Sequence, residues 1–302
     1  MHKPVVLAAC NHNANYAFYL PMLARSWSAV GFAPLCFLVG DYVSWSEEKW
    51  AMPLREANKC GLTYEFIACP PTQRPSTVAQ CSRLFGGLTY YAQHNLADDD
   101  YIMAGDIDAL ALPRMTEMRE GIDATKDITM FFTNAYEHEP KLHYTIQNFT
   151  ARTRWWRERA LDYGYTPSDA VAAFLQARLG DRTHTLAADW DEEAWYTDEF
   201  ALTDWCAALP GWQNFSNDQH SCKRMRPLRA LGCAENRMDR VDYDAGRPLA
   251  DPSTCLDFHA MRPRVWDDKP FAVLHDAWRR AWGTTESDWL AQYRGEFVRL
   301  HG

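Results

Sequence analysis

Two carboxylates around one apolar residue, Asp106 and Asp108 flanking Ile107, interrupt an otherwise apolar run from Tyr101 to Leu112. An apolar run of strand length that stops at carboxylates delivers them to the carboxyl edge of a sheet, where open α/β folds keep their ligands. Both side chains can face that edge and hold a divalent cation. A hard cation bound by only one or two carboxylates keeps positions free for phosphate oxygens, so the chemistry in prospect is Mg²⁺- or Mn²⁺-assisted work on a phosphorylated substrate. The bland alternative is a polar turn at a strand end, because chance pairs of this spacing are common.

Three further segments carry residue types suited to such a site. Arg83, in Cys81-Ser-Arg-Leu-Phe85, offers a guanidinium that can grip phosphate with two prongs, against a plain surface ion pair. Asp257-Phe-His-Ala-Met-Arg-Pro263 combines an imidazole, His259, with a cation, Arg262; a lone histidine is more often structural than a ligand. Asp198 and Glu199 stand together at the start of an apolar helical pattern, where acidic residues also serve the helix dipole. His138-Glu-Pro-Lys-Leu-His143 has one residue too many for a His-Glu-x-x-His zinc site and Pro140 would break the helix, so it reads as a loop. Gly-x-Gly-x-x-Gly and P-loop patterns are missing, which removes the main support for dinucleotide and P-loop chemistry.

The elements that must position these residues follow an alternating order. Val5–Ala9 is a continuous apolar run, a strand covered on both faces, and Leu35–Val39 reads the same way. Leu20, Leu23, Trp27 and Val30 form the apolar stripe of the helix between them, with Pro21 in its first turn. Ser44 and Glu47 have capping-box spacing for a helix ending at Lys59, and Leu62, Tyr64, Phe66 and Ala68 alternate as a third strand. Ser76 caps a predicted long helix with Val78, Cys81, Phe85, Leu88 and Ala92 on one face, leading into the Asp-x-Asp strand. Strand-helix units in this order predict a doubly wound α/β fold, a mainly parallel twisted sheet flanked by helices.

Ile128–Thr133 reads as another strand, with Asn134 at its end. From Arg152 to Leu209 the pattern is mostly helical, with Ser168 or Asp169 capping Ala170–Leu179 and Asp191 opening a helix to about Ala208. Strand-like pieces follow at Leu228–Cys233 and Met238–Tyr243, and an amphipathic helix at Glu286–Leu300. Neither a repeat nor a linker is evident, which favours one domain over 1–302, with a first half (1–135) and a second half (136–302). Six of the thirteen tryptophans fall between Trp155 and Trp212, either as core or as flat faces for a sugar.

Whole-chain properties narrow the partners. With 47% hydrophobic and 24% charged residues over 302 positions, the chain can bury a sizeable core. A formal charge of -9 without a basic tract argues against nucleic acid. No window approaches the roughly 20 apolar residues of a membrane span, and the first apolar stretch is too short for a secretion signal. Nine scattered cysteines without Cys-x-x-Cys fit a reducing, cytoplasmic setting, so the sequons at Asn148 and Asn214 read as chance matches.

Tyr-Ile-Met-Ala-Gly-Asp-Ile-Asp-Ala-Leu, placed after three strand-helix units, resembles the Asp-x-Asp segment of GT-A glycosyltransferases, closest to glycogenin-like and bacterial or viral sugar-transferring members. The resemblance implies a GT-A sheet with a helical acceptor-side insertion, and transfer of a sugar from a nucleoside diphosphate sugar, uridine favoured, to a hydroxyl of a glycan or related acceptor. It implies that Asp106, Asp108 and His259 hold Mn²⁺ or Mg²⁺, and that Ala9, Cys10, Asn11 and Asn15 meet base and ribose. Arg83, Asp106, Ile107, Asn134 and Arg262 would complete the nucleotide-sugar site. Asp198-Glu199 matches the family's Asp-Gln pair, with glutamate where glutamine is usual, and implies catalytic roles for both while leaving inversion or retention open. A further departure is Arg264, which stands where an aromatic residue is usual. Two rivals remain: a metal-dependent phosphohydrolase, whose haloacid-dehalogenase version needs the motif on the first strand, and a non-catalytic carbohydrate-binding protein.

Overall fold

The computed structural model describes residues 3–131, 135–138, 141–180, 196–210, 220–222 and 237–301. The apolar run near the amino terminus forms β1 (Val5–Cys10), which pairs in parallel with β2 (Ala33–Val39); β2 pairs in turn with β3 (Thr63–Ile67). On its other side β1 pairs in parallel with β4 (Tyr101–Ala104). After the short β5 (Ala109–Ala111), β6 (Ile128–Met130) returns to the main sheet, followed by the hairpin β7 (Ala135–His138) and β8 (Lys141–Tyr144) and by β9 (Phe149–Arg152). With β10 (His220–Cys222) the central sheet has seven strands in the order β10-β6-β9-β4-β1-β2-β3. It is the mainly parallel, helix-flanked α/β sheet expected, with β9 antiparallel to both its neighbours.

Alternation along β1 explains why both faces need cover: Val6, Ala8 and Cys10 enter one core, Val5 and Leu7 the other. The first core contains Trp27, whose indole N–H donates to Ala109 O at 3.1 Å and pins β5. The second contains Trp155 and Trp156, and the Trp156 indole donates to Ile102 O at 3.0 Å. These two tryptophans are therefore core residues; Trp190, Trp195 and Trp212 lie outside the described residues. Among those residues no helix is long and apolar enough to cross a membrane. The described cysteine thiols are free.

Several local expectations are corrected. The long helix before β4 is broken into Pro75–Ser82, a 3₁₀ turn Arg83–Leu88 and Tyr90–Asn95, the last capped by Thr89, which accepts from Ala92 N at 3.0 Å. Gly86 and Gly87 are the reason: a Cβ would lie 2.5 Å from Leu7 Cδ2 at the first and 2.5 Å from Arg157 N at the second. Arg74, not Ser76, occupies the N-cap. The capping box joins Asp41 to Ser44 over the short helix Tyr42–Trp45, and Glu48–Lys59 begins without a side-chain cap. Thr166 caps Pro167–Leu179 because Pro167 takes the first helical position.

His138 and residues 141–143, expected as a loop, belong to β7 and β8, which pair antiparallel, a ladder that residue types alone do not reveal. Where strand was expected at Met238–Tyr243, only β11 (Arg237–Asp239) forms; Asp239 then accepts from Val241 N at 3.0 Å and starts the helix Arg240–Asp244. The strand-like piece at Leu228–Cys233, the start expected at Asp191 for the helix Thr197–Ala207, and Asn134 lie outside the described residues. The sequon at Asn148 is no acceptor site, as that residue is 1% exposed. Asp268–Trp282 forms a helix that the sequence patterns did not single out, and the final helix spans Thr284–His301.

Candidate metal and nucleotide site

The last strand, β12 (Asp257–His259), pairs in parallel with β11 and antiparallel with β5, making a second sheet β11-β12-β5 beside the main one. Its register sets His259 opposite Ala109, and Ala260 N donates to Asp108 O at 2.9 Å. A segment about 150 residues away in sequence is thereby fixed at the end of β4. Gly105 lets the chain turn close to β1: its N–H donates to Leu7 O at 2.8 Å, and a Cβ would stand 3.0 Å from Val6 Cγ2. One ligand atom each from Asp106, Asp108 and His259 lie within 4.8 Å of one another. The three residues expected to share a metal are brought together.

Asp108 is only 3% exposed and does not stand at an open edge. Its Oδ2 accepts from Arg240 Nη1 at 2.7 Å, with Arg262 Nε at 3.3 Å and His259 Nε2 at 3.7 Å. The same Arg240 Nη1 lies 2.7 Å from His259 Nε2. A guanidinium only donates, so Nε2 is the accepting nitrogen and the ring proton is on Nδ1. Nδ1 faces Asp239 Oδ1 at 3.6 Å. That is the tautomer a metal-binding imidazole uses, oriented by a carboxylate behind it. Asp257, nearer to His259 in sequence, is committed elsewhere: it takes both prongs of Arg237 at 2.8 and 2.6 Å and the Gln147 amide at 3.1 Å. Cross-strand register decides this, since Asp239 is paired with His259 and Arg237 with Asp257.

The loop after β12 is sewn to the turn after β1. Tyr19 donates its hydroxyl to Met261 O, Arg262 donates to the Tyr16 hydroxyl, and the Asn15 side chain accepts from Arg264 N at 2.7 Å. Arg262 also lies over the Tyr16 ring, 5.1 Å from its centre. Asn15 therefore braces the loop and is not among the residues lining the cleft. Tyr16 carries no motif and was not anticipated; only its proximity in the fold marks it.

Arg83 is buried and fully engaged. Its Nη1 donates to Asp106 and to Gly105 O (3.2 Å), its Nη2 to Asp198 Oδ2 at 2.7 Å, and its Nε to Gln80 O at 3.1 Å. It joins the first carboxylate of the Asp-x-Asp pair to the first turn of the helix Thr197–Ala207. Burial pushes the Asp198 carboxyl above the usual carboxylate range despite Arg83. Burial also acts to raise Asp106, but Arg83 together with His259 and Arg237 holds that carboxyl low. Asp198 further accepts from Glu199 N at 2.9 Å.

These groups line one cavity of about 180 Å³, together with Ala9, Asn11, Ile107, Glu199 and the aromatic ring of Tyr196. Ala9 and Asn11 face it because they share one side of β1; alternation sends Cys10 into the core, so only its main chain could meet a ligand there. Three arginines (Arg83, Arg240, Arg262) stand against four carboxylates (Asp106, Asp108, Asp198, Glu199) in the lining. With the cationic side outnumbered, a diphosphate would enter an unfavourable field unless a divalent cation reversed it. Two carboxylates and an imidazole are a donor set that could hold a divalent cation. Asn11 and Ser76 also border a second, more open depression lined by His12, Asp41, Phe66 and Arg74.

No protein-family model matches the sequence, and no curated protein matches it. Among solved structures the chain is similar to the galactosyltransferase LgtC in complex with donor and acceptor sugar analogues, at 14% identity and TM-score 0.48, covering 96% of this chain and 95% of that one. It is also similar to the glycosyltransferase GlyE of Streptococcus pneumoniae, at 10% identity and TM-score 0.42 over 98% of this chain and 64% of that one. A third is TarS of S. aureus in complex with UDP, at 11% identity and TM-score 0.34 over 68% and 66%.

Proposed function

We propose that this chain is a metal-dependent glycosyltransferase that moves a sugar from a nucleoside diphosphate sugar, with uridine as the favoured base, to a hydroxyl of a glycan or related acceptor. The observation that carries this reading is the convergence of Asp106, Asp108 and His259 at the end of β4, inside a cleft whose lining also holds three arginines. Mn²⁺ or Mg²⁺ bound there would offset charge on the leaving diphosphate. Arg262 is placed to bind phosphate beside it. Ala9 and Asn11, with the depression that Asn11 borders, suit the nucleoside. One catalytic unit over 1–302 is the corresponding domain assignment, since β9 and β10 of the second half complete the sheet of the first.

The two acidic residues at the helix start divide their work. Asp198 is buried and acts through Arg83, which makes it a positioning residue; Glu199 borders the cleft and is assigned the carboxylate that meets the reacting sugar or the acceptor hydroxyl. A phosphohydrolase of the haloacid-dehalogenase kind is disfavoured because the motif follows β4, not β1, and because Asp106 is held by Arg83. A purely sugar-binding role leaves the metal triad without a purpose.

The test is turnover of a panel of nucleotide sugars with and without Mn²⁺. Release of nucleoside diphosphate that depends on both the metal and a sugar acceptor is expected. Release of inorganic phosphate from simple phosphate esters, or no turnover with any donor, contradicts the proposal.

A further inference from the structure

Resting on that reading, we infer that Arg240 is an exchangeable cation: its guanidinium competes with a divalent cation for Asp108 and His259, and serves the diphosphate of the donor once that cation is bound. The argument begins with a lone pair. His259 Nε2 has one, and Arg240 Nη1 occupies it at 2.7 Å while also donating to Asp108 Oδ2 at 2.7 Å. Coordination of a cation by His259 through Nε2 needs the same lone pair, beside the same carboxylate. Arg240 and the metal therefore exclude one another.

Its contact is also built to be given up. The structural pair of this region, Arg237 with Asp257, is a two-pronged fork at 2.8 and 2.6 Å between side chains 9% and 1% exposed. Arg240 instead engages through Nη1 alone, and its side chain is 18% exposed on the cleft wall. Asp108 does not depend on it, because Arg262 stands 3.3 Å from the same oxygen. Arg240 is among the residues lining the cleft, so once Nη1 is displaced its guanidinium would be available to a diphosphate bound there. Arg240 begins the helix Arg240–Asp244, so its main chain is anchored while its long side chain turns.

A residue in this position has opposite effects on the two ligands, which a structural arginine would not. In Arg240→Ala and Arg240→Gln, affinity for Mn²⁺ alone, read from the electron paramagnetic resonance signal of free Mn²⁺, should rise about tenfold because a competing charge is gone. With Mn²⁺ saturating, affinity for uridine diphosphate measured by calorimetry should fall about five- to fiftyfold, because a charged phosphate contact is lost. Circular dichroism shows whether each variant is folded, and the glutamine variant keeps the bulk of the side chain. Mn²⁺ affinity that does not rise, or nucleotide affinity that does not fall, overturns the inference while wild-type Mn²⁺ binding leaves the metal site standing. If wild type and both variants bind no Mn²⁺, the metal site itself is wrong and the exchange falls with it.

Discussion

The two walls of the cleft are built in opposite ways. One wall, the ends of β1 and β4 with Ala9, Asn11, Asp106 and Asp108, is laid down by adjacent parallel strands of the central sheet. The other, with Arg240, His259 and Arg262, is added from the far end of the chain by β11 and β12 and sewn on through Tyr16, Tyr19 and Asn15. The anionic wall is thus intrinsic to the sheet, and the wall holding two arginines and the imidazole is docked onto it. Charges that repel within each wall are tolerated because the walls meet, Asp108 being the point of contact.

Breaking that contact should have the largest effect. Asp108→Asn removes the shared charge, and Mn²⁺-supported nucleotide affinity should fall by at least about 100-fold, since even partners behind a metal ligand are commonly worth 10–100-fold. Because Asp108 is buried among cationic groups, the variant should also lose about 1–3 kcal/mol of stability in urea denaturation. Near-normal nucleotide affinity in this variant contradicts the shared-charge account.

Arg83→Lys tests the link between the Asp-x-Asp pair and the helix Thr197–Ala207. A lysine cannot bridge Asp106 and Asp198 with a planar fork, so nucleotide binding should weaken by about 1–3 kcal/mol by calorimetry. An unchanged affinity would mean that Asp106 is held in place without it. Tyr16→Phe sharpens the comparison at the docked wall: losing one hydroxyl that Arg262 donates to should cost about 0.5–1.5 kcal/mol in nucleotide binding, with Mn²⁺ binding little changed. An equal loss in both would place Tyr16 under the metal and not under the phosphate side.

How far each wall could be read from the sequence follows the same division. Asp106, Asp108 and Asn11 were legible because an apolar strand ending in polar residues announces a sheet edge, and the strand-helix order announces which edge. His259 and Arg262 were legible only through a resembled motif. Arg240 was not, since it sits in a stretch whose residue types suggested strand, and its importance comes from a helix start that aims it across at Asp108. Asp239 carried no signal, because distance along the chain is a poor guide to what stands behind His259 across a parallel ladder. Arg83 was found as a residue while its partners were not: residue type says what a guanidinium can grip, and burial says what it already holds.

The smallest expected effect is in pH dependence. Burial raises the folded-state Asp198 carboxyl above its unfolded value, so the native state takes up that proton first, and this group adds stability as pH falls through its folded pKa and withdraws it as pH rises. Asp198→Asn lacks that contribution. The stability difference between wild type and Asp198→Asn, from urea denaturation at neutral and at mildly acidic pH, should therefore shift in favour of wild type on acidification. A shift the other way would mean that Arg83 dominates over burial at Asp198.

The central claim is that the Asp106, Asp108 and His259 cluster binds a divalent cation that carries a nucleoside diphosphate. The most direct measurement is calorimetric titration of the protein with uridine diphosphate in Mn²⁺ and again in chelator. Binding in Mn²⁺ that disappears in chelator, and that Asp108→Asn abolishes, is the predicted result; equally tight binding in chelator would contradict it.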